Sequence, residues 1–75
     1  MQSKDQYIQK QASSIINNYN AGNFKDVVKK GLTLIKKFPD QFLFYNATSL
    51  ALTAQGRFKE ALTLLHEAET NFDNN

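Results

Sequence analysis

Nucleophilic catalysis needs a nucleophile beside an oriented base. The chain offers Ser13 and Ser14 on one helical stretch and its single histidine, His66, on another, with no buried acid near it in sequence. His66 therefore reads as a surface helix residue. Glu60, Glu67 and Glu69 are the acids that could build a carboxylate site. Glu67 and Glu69 are two apart, so on a helix they point in different directions and read as a solvated face. There is no cysteine, which excludes disulfides and thiolate metal sites, and one histidine cannot assemble a metal site alone. The three glycines stand singly, so no loop cradles a phosphate. No catalytic, cofactor-binding or metal-binding residue is expected, and the chain is not read as an enzyme.

Lys25, Lys29 and Lys36 recur at four and seven, with Lys30 and Lys37 beside them. Such a stripe suits a solvated face, an acidic partner or, last, nucleic acid. Aromatics that would stack on bases are not interleaved with it. A net charge of +2 is too weak to argue for nucleic acid, and none is expected.

Seventy-five residues make one domain at most, spanning 1–75. A chain this short is marginal alone unless it has a staple, very regular helix packing or self-association. No apolar run approaches the roughly 18 residues of a membrane span, so no membrane role is expected. The polar start, Met1 to Gln6, has no apolar core behind it and does not resemble a signal peptide. The cytoplasm is the expected location. The sequon Asn46-Ala47-Thr48 is then read as coincidence.

Four helices are needed to position these residues. Ser3 and Gln6 have capping-box spacing and open a helix running to about Ala21. Tyr7, Ile8, Ala12, Ile15, Ile16 and Tyr19 form its thin apolar stripe. Gly22 stops it, and Asn23 caps a second helix to about Lys37. Val27, Val28, Leu32, Leu34, Ile35 and Phe38 carry the apolar side of that helix. Gly31 inside it costs about 1 kcal/mol relative to alanine, which suggests a close helix crossing. Pro39 ends the second helix, and Asp40 is expected to cap a third, from about Gln41 to Ala54. The third is apolar almost all round and should be buried between neighbours. A fourth follows Gly56, from about Arg57 to Phe72, with Phe58, Ala61, Leu62, Leu64, Leu65, Ala68 and Phe72 on its apolar side.

One pattern occurs twice. Gly22-Asn23-Phe24-Lys25-Asp26-Val27 is echoed by Gly56-Arg57-Phe58-Lys59-Glu60-Ala61, 34 positions on. A period of that length signals a helical repeat array. In this register the chain resembles the tetratricopeptide repeat family. The second unit, about 42–75, is the better match. Tyr45 stands at the family's first aromatic, Ser49 at a small contact and Leu52 at the next large position. Gly56, Phe58, Ala61 and Ala68 match the turn and the small residues of the second helix, and Asp73 replaces the usual proline. In the first unit, about 8–41, Gly22, Phe24 and Pro39 fit and Val27 replaces the small alanine. Gln11 and Asn18 occupy positions where aromatics are normal, as suits an end repeat. The order around Ile15-Ile16, Tyr19 and Tyr45-Asn46 looks like bacterial members, in which repeats often precede a transferase or another catalytic domain.

The resemblance implies an all-α fold of two antiparallel helix-turn-helix hairpins stacked as a short superhelical array. It also implies a protein–protein interaction or scaffolding module that binds a protein or peptide on the concave face made by each unit's first helix. That face would comprise Gln9, Ala12, Ile16, Tyr19 and Asn20, then Leu43, Asn46, Leu50, Thr53 and Ala54. Asn46 would hydrogen-bond a peptide backbone and Leu43 and Leu50 would take apolar side chains, unless the two leucines simply pack against the first helix. The family's clamp for a C-terminal carboxylate uses Lys and Asn; Ala12, Ile16 and Ala47 stand there instead, so that mode is not expected.

Two repeats are few, since three or more are usually wanted. The fourth helix would leave Leu64, Leu65 and Phe72 without a successor to cover them, unfavourable at about 25 cal/mol per Å². The isolated chain is then expected to pair with itself or to be a piece of a longer array. Two alternatives to the peptide-binding reading follow: a homo-oligomerisation domain pairing through those residues, or the non-catalytic N-terminal region of a larger transferase.

Overall fold

Ser3 caps the first helix. Its hydroxyl accepts from the Gln6 backbone N–H, and the Gln6 side chain accepts from the Ser3 N–H, both at 3.1 Å. This reciprocal pair opens α1, Lys4–Asn20. In the computed structural model, which describes residues 3–72, three more helices follow: α2 (Phe24–Lys37), α3 (Phe42–Ala54) and α4 (Phe58–Phe72). The fold is all-α, with no strand among the described residues. Asp73, which would replace the repeat's proline, lies outside the described residues.

The helix ends follow local chemistry. Gly22 and Gly56 have φ of +80° and +75°, the left-handed region that glycine enters without steric cost. The Gly22 N–H bonds back to the Tyr19 carbonyl and the Gly56 N–H to that of Thr53. Asn23 is the α2 N-cap but makes no side-chain capping bond; its amide donates to Asn18 Oδ1 at 3.4 Å instead. Asp40 does not cap α3. The N-cap is Gln41, because Pro39 and Asp40 form a turn closed by the Gln41 N–H on the Phe38 carbonyl at 3.1 Å.

The helices run antiparallel in sequence order. Tyr7 near the start of α1 meets Phe38 after α2 with ring centroids 5.8 Å apart, while Tyr19 and Phe24 meet at the other end at 5.3 Å. Phe42 and Tyr45 at the start of α3 meet Phe72 at the end of α4, at 5.7 and 5.9 Å. α3 packs on all three other helices, whereas α4 packs on α3 alone. The result is a slab measuring 39 × 36 × 15 Å.

The central position of α3 agrees with its apolar composition. Phe44, Tyr45, Ala47, Ala51 and Leu52 are buried, joined by Ile15 of α1, by Val27, Val28, Leu34 and Ile35 of α2, and by Ala61, Leu64 and Ala68 of α4. The small residues Ser49, Ala61 and Ala68 are all buried. They let α3 and α4 approach closely, since α3 is the only neighbour α4 has. Tyr45 keeps its hydroxyl satisfied by accepting from the Asn71 amide at 2.7 Å.

Two features differ from the periodicity reading. Leu32, Phe58 and Leu62 fall on apolar sides by periodicity, yet all three are exposed. α2 and α4 do not pack on each other, so Leu32 faces the groove between them. Phe58 and Leu62 face away from α3, the one helix that could cover them. Ile16, Phe42, Leu43 and Leu50 are also exposed, so neither α1 nor α3 is covered all round.

Gly31 sits at the expected crossing. A Cβ placed there would stand 1.9 Å from Thr48 Oγ1 and 3.1 Å from Thr48 Cβ. Thr48 is fully buried and its hydroxyl has no hydrogen-bond partner. The oxygen occupies the space of the missing Cβ and so faces the Cα–H bonds of Gly31, a weak but favourable contact. Gly31→Ala should lower stability by about 2 kcal/mol, overpacking outweighing a propensity gain of about 1 kcal/mol. In a Thr48→Ala background the same change should be near neutral, as urea unfolding followed by circular dichroism at fixed protein concentration would show. Gly56→Ala meets no neighbour but forces alanine into positive φ, and should cost about 1–2 kcal/mol in that assay.

Candidate functional site

The α3 stripe expected to meet a partner is accessible. Leu43, Asn46, Leu50 and Thr53 are spaced three, four and three apart, which places them on one helix face. Leu43 is 37% exposed and Leu50 46%, so neither is buried against α1. Asn46 is exposed, with a carbonyl and an amide able to accept and donate. The Thr53 hydroxyl donates to the Ser49 carbonyl at 2.9 Å, leaving its lone pairs as acceptors.

α1 contributes less than expected. Gln9, Ile16 and Asn20 are exposed. Ala12 and Tyr19 are half-buried and pack against the core. Tyr19 is fixed edge-on to Phe24, so it braces the α1–α2 turn rather than standing free. The surface is made by two helices in contact, α1 beside α3. The depressions between α1 and α2 and between α2 and α4 are lined by none of these residues.

The lysine face of α2 is exposed throughout. Lys30 Nζ donates to Ser14 Oγ at 2.9 Å, which ties one lysine to α1. Lys37 Nζ lies 5.9 Å from the Tyr7 ring and Lys4 Nζ 5.8 Å from that of Phe38, both within cation–π range. Tyr7 thus joins Lys29, Lys30 and Lys37 in the α1–α2 depression. A reading of α2 alone missed that aromatic, because it comes from the neighbouring helix. Asp26 lines the same depression, so its charge is mixed.

The structure keeps the nucleophile and base candidates apart. Ser13 and Ser14 are on α1 and His66 on α4, and these helices do not pack together. Among the described residues, no three His, Asp or Glu side chains gather where they could hold a metal ion. Glu60 is held by Arg57 through two hydrogen bonds, Nε to Oε1 at 3.1 Å and Nη2 to Oε2. Those bonds push the Glu60 carboxyl below its ordinary range and the Arg57 guanidinium above its own. Both side chains are exposed, so the pair contributes little to stability.

The expected self-association residues need one correction. Leu64 is only 6% exposed and belongs to the core, because it faces α3. Leu65 and Phe72 are exposed as expected. They are joined by Phe58 at 65%, Leu62 at 59%, and Phe42 from the first turn of α3. Spacings of four and three along α4 draw these into one stripe, and Phe42, Leu65 and Phe72 line a shared groove. Set against known proteins, the chain matches no family model, no curated protein and no solved structure.

Proposed function

We propose that this chain is a protein–protein interaction module of the tetratricopeptide-repeat kind, taking a peptide along the α1–α3 face. The observation that carries this reading is the pair Leu43 and Leu50, exposed with Asn46 between them. Exposed leucines seven residues apart on one helix stand about 10.5 Å apart along its axis. An amphipathic helical peptide with apolar side chains one heptad apart has the same repeat distance and would set them beside both leucines. Asn46 would fix the peptide's orientation by hydrogen bonding, while Ile16 widens the apolar strip toward α1. The 34-residue period and the buried small residues of α3 and α4 support the family reading.

Selection from a displayed peptide library against the folded chain, followed by amide-shift mapping, tests this. The expected peptides carry two apolar residues a heptad apart and shift Leu43, Asn46 and Leu50. Leu50→Asp should weaken them by about 10- to 100-fold, the cost of losing one central anchor, while leaving the fold intact. Peptides that shift only α2 or α4 resonances, or that ignore Leu50→Asp, would overturn the reading.

A further inference from the structure

We propose that the α4 stripe, with Phe42, is the interface of a closed two-fold dimer of this chain, separate from the α1–α3 face. The internal period supports it. Moved back by 34 positions, Phe42, Phe58, Leu62, Leu65 and Phe72 become Ile8, Phe24, Val28, Gly31 and Phe38. Val28 and Gly31 are buried, and Ile8, Phe24 and Phe38 pack against the core. The first hairpin therefore covers, largely with α3, the positions that the second hairpin leaves open. On the order of 500 Å² of apolar surface per copy is exposed, over half of the roughly 800 Å² a stable interface takes from each partner.

The opposite end of the slab decides which partner fits. Phe44, Thr48, Ala51 and Leu52 of α3 are buried, and their equivalents on α1 are Lys10, Ser14, Asn17 and Asn18. α1 is too polar to lie in another copy's open groove as α3 lies in the first one. Head-to-tail stacking, which would build an open filament, is thereby disfavoured. Patch-on-patch pairing closes instead, and it leaves a polar α1 at both outer ends of an eight-helix assembly.

Glu69 replaces Ile35 of the first unit, a buried apolar residue, and lines the groove beside Leu65 and Phe72.

Sedimentation of the full chain from micromolar to submillimolar concentration tests the proposal. A concentration-dependent species of twice the chain's 8.5 kDa is expected. Leu62→Glu should shift its dissociation constant upward by more than about tenfold with helicity unchanged, since Leu62 is exposed within the chain. The chain has no native cysteine, so Leu65→Cys should form an intermolecular disulfide under mild oxidation. Leu50→Asp should leave the dimer intact, which separates failure here from failure of the peptide site. A monomer throughout, a dimer indifferent to Leu62→Glu, or larger head-to-tail species would each overturn the proposal.

Discussion

The contact of Thr48 with Gly31 governs the rest of the molecule. α3 can touch α1, α2 and α4 only if it lies deep against α2, and a Cβ at position 31 would hold it away. The cost of a helix glycine, about 1 kcal/mol, is offset by the packing of Phe44, Ala51 and Leu52 that the close crossing allows. The buried hydroxyl of Thr48, lacking a conventional partner, is a further cost of the same arrangement. The first hairpin and the central helix are thus one unit fitted at a single point.

Much of the helical layout was legible in the sequence because it is punctuated by residues with strong local preferences. Ser3 with Gln6, Gly22, Pro39 and Gly56 each mark a boundary through a capping bond, a positive φ or a lost donor. Gly31 was also legible, since a helix tolerates glycine where a neighbour needs the space. What could not be read was the direction of each apolar face. Periodicity shows that Leu62, Leu64 and Leu65 lie on or near the apolar side of α4, but it cannot say which of them meets α3. With a single neighbour, α4 buries a narrow strip of Ala61, Leu64 and Ala68 and leaves larger residues outside. Asp40 failed as a cap for a similar reason. Its side chain suits the role, but the turn following Pro39 puts Gln41 at the cap.

The candidate α1–α3 face was partly legible. The family resemblance pointed to Leu43, Asn46, Leu50 and Thr53 on α3, and the structure leaves them exposed. On α1 the same reasoning included Ala12 and Tyr19, which the packing of α1 against its neighbours draws partly inward. A face built from one helix can be read from spacing. A face built from two depends on their relative rotation, which the chain's pattern does not encode.

The attachment of α4 through one neighbour has an energetic consequence. Helices α1, α2 and α3 support one another in a closed triangle of contacts, so none can leave without breaking two interfaces. α4 can detach by breaking one. Opening α4 leaves the contacts among the other three helices intact, so this helix can unfold locally. A ligand or second copy seated on α4 acts on this single joint. Its binding free energy adds directly to the helix's own hold on the slab, so order in that quarter of the molecule becomes a function of occupancy.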